Sequence, residues 1–269
     1  MLKFAATDLD GTLLDDKRQV PEEIFPIIRE LNRRGILFCP ASGRQYANLL
    51  QLFAPVKDDV LFMAENGALL KYRGKTLYLN PIPDALIKDA LCAVRSVPML
   101  FPMLCGSENA YIENVEEPFY TYARLSYNNC IVVPSLESVI GTEKICKIAI
   151  YDALGSHNNC IKYLPDKIPF LRPILSGADW CDVSAITANK GDAMRFIKEQ
   201  FHFRKEECVA FGDHMNDYEM LLECGSAFVT ENAYPPLKKL IPDTVPANTE
   251  GGVIKKLKEI LQSIERSDL

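Results

Sequence analysis

Asp8 and Asp10, two acids one residue apart, end a short apolar run near the start of the chain and are followed by Gly11 and Thr12. In an extended backbone alternate side chains share a face, so this spacing starts both carboxylates in the same direction. Gly11 permits a sharp exit from the strand. Two neighbouring carboxylates repel, and burying them costs more unless a cation neutralises them. A hard divalent ion with oxygen ligands, such as magnesium, resolves that conflict. For an isolated Asp-x-Asp, a solvated acidic turn is the better explanation, so the other chemical residues must decide.

Three further groups could join the pair. Ser42-Gly43-Arg44 follows the apolar run 36–41; a hydroxyl and a free amide at a helix start suit an anion, although taken alone a strand-to-helix turn with Ser42 as its cap is the favoured reading. Lys190, by itself a surface lysine, would supply beside a phosphate the positive charge that acidic surroundings lack. Gly212-Asp213-x-x-Asn216-Asp217 places a second acid pair after another apolar run. Asp213 is a good metal ligand, Asn216 can hydrogen-bond a phosphoryl oxygen or Lys190, and Asp217 suits orientation of Lys190 or a bound water. His214 reads as an exposed neighbour rather than a general base.

The elements that must position these residues alternate. The run before Asp8 predicts a buried parallel strand, and Pro21 opens a helix whose Ile24, Ile27, Ile28 and Leu31 share one face, with Pro26 expected to bend it. A second strand at 36–41, a helix carrying Tyr46, Leu49, Leu50 and Phe53, and a third strand at 60–64 continue the rhythm. That β-α-β-α-β order reads as a doubly wound parallel sheet, Rossmann-like in kind. A hairpin (68–72 and 75–79) interrupts it. From Pro83 to Ala185 the pattern becomes a mixture of short strands (110–113, 130–133, 144–151, 171–175, 180–185) and helices (84–95, 119–125, 156–163). This is expected to be an α+β domain with an antiparallel sheet, 83–185, inserted into a core of 1–82 and 186–269. The core rhythm resumes with a helix after Lys190 and a strand ending at Gly212. In an open parallel sheet, ligands gather at the carboxyl ends of the strands, where Asp8, Ser42 and Asp213 all lie.

Composition narrows the classes. The 269 residues carry a net charge of −6, which argues against a nucleic-acid or anionic-membrane surface. No apolar stretch approaches the ~20 residues of a membrane span, and the N-terminus reaches Asp8 too soon for a signal peptide. Nine scattered cysteines without a C-x-x-C pair favour reduced thiols and a cytoplasmic protein, and argue against a disulfide scaffold or zinc site.

Taken in order, Asp8-Leu9-Asp10-Gly11-Thr12, Ala41-Ser42-Gly43-Arg44, Asn189-Lys190-Gly191 and Gly212-Asp213-x-x-Asn216-Asp217 resemble the haloacid dehalogenase superfamily. The specific likeness is to its Cof-type phosphatases with a type IIB α/β cap. Asn66-Gly67-Ala68 and Glu250-Gly251-Gly252-Val253 fit the same subgroup. One departure is Thr230-Glu231-Asn232-Ala233, where the subgroup often has Met-Gly-Asn-Ala. The resemblance implies that Asp8 is the nucleophile, forming an aspartyl-phosphate, and that Asp10 protonates the leaving alcohol and then activates water. It implies magnesium held by Asp8, the Asp10 carbonyl and Asp213. Ser42, Lys190, Asn216 and the amides of Leu9 and Gly43 would hold the phosphoryl oxygens, with Asp217, Arg44 and Thr12 supporting them.

These implications agree with the physics of phosphoryl transfer, which leaves a protein mainly positioning and charge neutralisation. The inserted domain would cover the cleft and contact the leaving group. The expected activity is magnesium-dependent hydrolysis of small phosphorylated metabolites such as sugar phosphates. The expected partner is that small ester, with no nucleic acid or membrane, on a monomer or small homo-oligomer. The rivals are a phosphomutase of the same fold and a non-catalytic sugar-phosphate sensor.

Overall fold

Apolar runs separated by amphipathic helices build the N-terminal part of this computed structural model, which describes residues 1–267. In chain order the elements begin β1 (Phe4–Thr7), α1 (Ile24–Arg33), β2 (Leu37–Pro40), α2 (Tyr46–Leu52), β3 (Leu61–Ala64), β4 (Leu69–Tyr72) and β5 (Lys75–Leu79). They continue α3 (Asp84–Arg95), β6 (Leu100–Gly106), β7 (Ala110–Ile112), α4 (Phe119–Ser126), β8 (Cys130–Val132), β9 (Ile145–Asp152), α5 (Cys160–Tyr163), β10 (Leu171–Leu175) and β11 (Trp180–Ala185). The chain closes with α6 (Lys190–Phe201), β12 (Cys208–Gly212), α7 (Tyr218–Leu222), β13 (Ser226–Thr230), α8 (Pro235–Leu240), β14 (Thr244–Val245) and α9 (Gly252–Ser267).

The elements fall into two compact units. The first comprises Met1–Ser42, Leu49–Tyr78 and Asn189–Leu269. Its main sheet is parallel throughout, in the order β14-β13-β12-β1-β2. The strands are short and apolar on both faces, as a sheet covered on both sides requires: every residue of β1 and β12 is buried. Ala193, Met194 and Ile197 of α6 and Met220 and Leu221 of α7 join Phe4, Ala6, Cys39 and Ala210 in one core cluster. The buried stripe Ile24, Ile27, Ile28 and Leu31 of α1 packs toward β2 and α9. The strand expected at 60–64 is β3; it meets β2 only through isolated parallel bridges and heads a separate sheet with β4 and β5.

Pro26, expected to bend α1, instead occupies the third position of a helix that starts at Ile24. The first four amides of a helix have no partner within it, so a proline there removes nothing.

The second unit comprises Gly43–Asn48 and Leu79–Ala188. Its six-stranded sheet runs β10-β11-β9-β6-β7-β8. The pairs are antiparallel except β7 with β8, which is parallel. One face packs Ile148, Ile150, Leu104, Cys181 and Val183 under α3 and α5, and the other packs Met103, Phe119, Ala123, Ala149 and Tyr151.

Strand β6 is absent from the sequence reading although it pairs with both β9 and β7. Pro102 disguised it, because proline argues against a central strand. Only Leu104 and Cys105 pair with β7, so at Pro102 the strand has a partner on one side alone. The helix expected over 156–163 shrinks to α5, since Asp152 takes the Leu154 and Cys160 amides and organises the preceding residues as a turn. The segment expected as inserted domain, 83–185, lies inside the second unit, which also takes the stretch after Ser42. All nine cysteines are free thiols, and among the described residues no helix is long and apolar enough to cross a membrane.

Candidate active site

Strand β1 ends at Thr7, before the acids. The Leu9 carbonyl then accepts the amides of Thr12, Leu13 and Leu14, and Gly11 takes φ +83°, so the chain turns instead of staying extended. Asp8 and Asp10 therefore stand on either side of the point where the extended strand gives way to a turn. Asp8 is buried, its amide bonded to the Phe211 carbonyl on β12, whereas the Asp10 side chain is exposed.

Gly11 serves a second purpose. A Cβ there would run into the Asp213 carboxylate, so only glycine allows that acid to close on the turn. Thr12 Oγ1 donates to Asp213 Oδ1 at 3.2 Å, fixing the carboxylate from the same turn.

Lys190 opens α6, whose N-cap Asn189 accepts the Asp192 amide. Its side chain is fully buried and its Nζ donates to Asp8 Oδ1 at 2.5 Å and to Asp217 Oδ1 at 2.6 Å. Burial opposes the ammonium charge, but Asp217 and Asp8 outweigh it, and the Lys190 pKa is held above the ordinary lysine range. Asp217 Oδ2 accepts the amides of Asp213 and His214, so both of its oxygens are engaged. Asp217 thus holds Lys190 in place and ties the β12–α7 loop together.

The pKa values of Asp8 and Asp213 are also raised, which for a carboxyl disfavours the charged form. Burial first, then the neighbouring acids, push Asp8 well above the usual carboxylate range despite Lys190. Asp213 is raised to about 6 by burial and by Asp217, against the pull of Lys190. Carboxylate oxygens of Asp8, Asp213 and Asp217 lie within 4.8 Å of one another. Three carboxylates against one ammonium leave an excess of negative charge in a cleft of hard oxygen donors, and this donor set fits a divalent cation such as magnesium. Because Asp217 is engaged by its hydrogen bonds, Asp8 and Asp213 are the side chains available to ligate it.

Ser42 is buried at the end of β2; its amide bonds the Met63 carbonyl and its carbonyl accepts the Asn66 amide. Asn216 donates through Nδ2 to Asn66 Oδ1 at 3.3 Å. Asn66, quoted in the sequence as part of Asn-Gly-Ala, received no role there, and this bond is the one it makes toward the β12–α7 loop. Gly67 packs against the backbone of Asn189, just before Lys190, where a Cβ would collide with the Asn189 carbonyl. Leu9 is fully buried, and Gly43 and Arg44 are half-buried. His214 is exposed, its ring 4.9 Å from that of Tyr234. In the departing Thr230-Glu231-Asn232-Ala233 segment, Thr230 and Asn232 both donate to the Gly11 carbonyl while Glu231 points to solvent. The acid in place of glycine leaves the turn's anchor intact.

A family model described as haloacid dehalogenase-like hydrolase matches residues 5–257. Among curated proteins, the chain is 25% identical to the 5-amino-6-(5-phospho-D-ribitylamino)uracil phosphatase YbjI of Escherichia coli, covering 97% of each chain. It is 26% identical to the HMP-PP phosphatase of Klebsiella pneumoniae, covering 90% of this chain and 89% of that one. Among solved structures, TM0651 from Thermotoga maritima aligns with a TM-score of 0.85 and 26% identity, over 96% of this chain and 97% of the other. SMU.1108c from Streptococcus mutans UA159 aligns with a TM-score of 0.87 at 24% identity, over 97% and 100% of the two chains.

Proposed function

The chain belongs to the haloacid dehalogenase-like hydrolases, a phosphoric monoester hydrolase among them, and we propose that it is a magnesium-dependent phosphatase of small phosphorylated metabolites. The observation that carries this reading is the buried Lys190 ammonium shared between Asp8 and Asp217, with the Asp213 carboxylate alongside. Such an arrangement suits one incoming anion: a cation and a metal site offset the repulsion between the Asp8 carboxylate and a phosphate.

Asp8 attacks phosphorus, the ester P–O bond breaks, and the departing alcohol takes a proton from Asp10. Water, giving its proton to Asp10, then attacks the aspartyl-phosphate and frees inorganic phosphate. The exposed turn position of Asp10 suits a group that must meet both alcohol and water. Proton transfer of this kind contributes about 10²–10⁴-fold. Ser42, Asn216 and the amides of Leu9 and Gly43 orient the phosphoryl oxygens, with Lys190 countering their charge and Thr12, Arg44 and Asp217 in support. Magnesium held by Asp8, Asp213 and the Asp10 carbonyl supplies charge neutralisation.

By their names, one relative acts on 5-amino-6-(5-phospho-D-ribitylamino)uracil and the other on HMP-PP, which favours a small phosphorylated metabolite here too. The reading includes a cytoplasmic protein, monomeric or a small homo-oligomer. A panel of phosphorylated metabolites, assayed with and without magnesium and with Asp8→Asn as control, tests it. Release of inorganic phosphate without an isomerised product supports hydrolysis and excludes a mutase. Inactivity of the wild type across the panel overturns the reading.

A further inference from the structure

Asn66-Gly67-Ala68 lies in the hairpin turn between β3 and β4, inside the first unit. Three consecutive residues of that turn, Glu65, Asn66 and Gly67, have left-handed backbones, with φ of +52°, +54° and +93°. Glycine enters this region freely and asparagine tolerates it, whereas glutamate is strained there. Successive residues of this kind persist only where their surroundings over-determine them, and such strain gathers at functional sites.

The strained backbone touches three parts of the site at once, all within the first unit. The Asn66 amide donates to the Ser42 carbonyl at 3.0 Å, at the end of β2. Asn66 Oδ1 accepts Asn216 Nδ2 at 3.3 Å, from the loop after β12. Gly67 lies so near the start of α6 that a Cβ would come within 2.5 Å of the Asn189 carbonyl oxygen and 2.9 Å of the Lys190 amide nitrogen. The turn thus meets the segments that carry Ser42, Asn216 and Lys190, the three side chains proposed to hold the phosphoryl group. Asp213 is held from another direction, by Thr12 and the close approach of Gly11.

A primary amide carries two N–H donors in one plane with its acceptor. Once Asn66 Oδ1 takes one N–H of Asn216, the plane of that amide is set and its second N–H has a fixed direction. We propose that Asn66 is a positioning residue, whose Oδ1 aims the second N–H of Asn216 at a phosphoryl oxygen. The left-handed turn is the device that brings this acceptor to the loop while it braces Ser42 and the start of α6. The inference rests on the phosphatase reading, in which Asn216 meets the phosphoryl group.

Asn66→Gly tests it cleanly, because glycine keeps the left-handed backbone and only the acceptor is lost. Wild type, Asn66→Gly, Asn216→Ala and the double variant are compared by kcat/KM on p-nitrophenyl phosphate, or on the best ester of the metabolite panel. Inhibition by inorganic phosphate and the melting temperature with and without magnesium are measured on the same four proteins. Asn216→Ala is expected to lower kcat/KM and raise the phosphate inhibition constant by about tenfold to a hundredfold, the range for a hydrogen bond to a charged group. Asn66→Gly is expected to change both by about tenfold, the lower end of that range. The double variant is expected to match Asn216→Ala alone, because a residue that acts through Asn216 then has nothing left to aim. The melting temperature of Asn66→Gly, and its rise on adding magnesium, are expected to match those of the wild type. Losses that multiply in the double variant overturn the inference, since Asn66 would then act by another route. A lower melting temperature or a weaker magnesium response in Asn66→Gly also overturns it, in favour of a purely structural turn. So do unchanged kcat/KM and phosphate inhibition in Asn66→Gly, an outcome that leaves the phosphatase reading standing. A wild type that releases phosphate from none of these esters overturns that reading and the inference with it.

Discussion

Lys190 Nζ donates at 2.6 Å to Asp217 Oδ1, while the other oxygen of the same carboxylate accepts the amides of Asp213 and His214. One acid thereby fixes the direction of the ammonium and the shape of the loop that carries Asp213. Removing either partner strands charge in a buried place. Lys190→Met is expected to abolish turnover and to destabilise the fold by about 3–5 kcal/mol, the range for breaking a buried pair. Urea denaturation at pH 7 measures the second effect.

Asp8→Asn keeps the shape of the side chain and removes its nucleophilicity. Turnover is expected to fall more than about 10³-fold, with an unchanged circular dichroism spectrum. Appreciable residual hydrolysis would exclude Asp8 as the group that takes the phosphoryl.

Magnesium is expected to stabilise the protein, because a ligand that binds only the folded state adds about 2.7 kcal/mol at a hundred times its dissociation constant. A thermal-shift titration should therefore show a rising melting temperature for the wild type and little change for Asp213→Ala. Chelation of the metal should abolish hydrolysis reversibly. An Asp213→Ala titration that matches the wild type would remove Asp213 from the coordination shell.

Gly11 and Gly35 both have positive φ, +83° and +75°, but a Cβ at Gly35 meets nothing within 4 Å whereas one at Gly11 strikes the Asp213 carboxylate. Each substitution by alanine is expected to cost about 1–2 kcal/mol for the left-handed backbone. Only Gly11→Ala should also weaken the magnesium response. Parallel denaturation and magnesium titrations of the two variants separate strain from displacement of the acid.

In the second unit Arg95 pairs with Glu137, and the bonds from Arg95 and Ser135 hold the Glu137 carboxyl down at about 2. A depressed folded pKa contributes stability above the unfolded value of 4.5, and loses it as pH falls through that value toward about 2. The stability difference between wild type and Glu137→Gln is thus expected at pH 7 and should vanish between about pH 4.5 and 2. Being largely exposed, the pair is worth about 1 kcal/mol or less. A difference that persists at pH 2 would count against the ion pair as its source.

The chemistry-bearing residue types were legible in the chain because each stands where an apolar run stops, and strand ends are local events. Asp8, Ser42 and Asp213 could be singled out without a structure for that reason, and so could the parallel core. Two kinds of feature were not legible. Pro102 hid β6, since a strand with a partner on one side at that point tolerates a residue that single-sequence patterns read as a breaker. The turn at Gly11 leaves Asp8 buried and Asp10 exposed, a difference in burial that their spacing alone did not show.

What the amino-acid order determined by itself was which acids, amides and cations the protein owns and the strand ends on which they sit, because periodicity and turn chemistry act over a few residues. What only tertiary structure decided was their meeting. Lys190 reaches Asp8 across 182 residues of sequence and Thr12 reaches Asp213 across 201, and no local pattern encodes such a pairing. Charge neutralisation and burial are properties of the assembled site, set by the packing of α6 and β12 around β1.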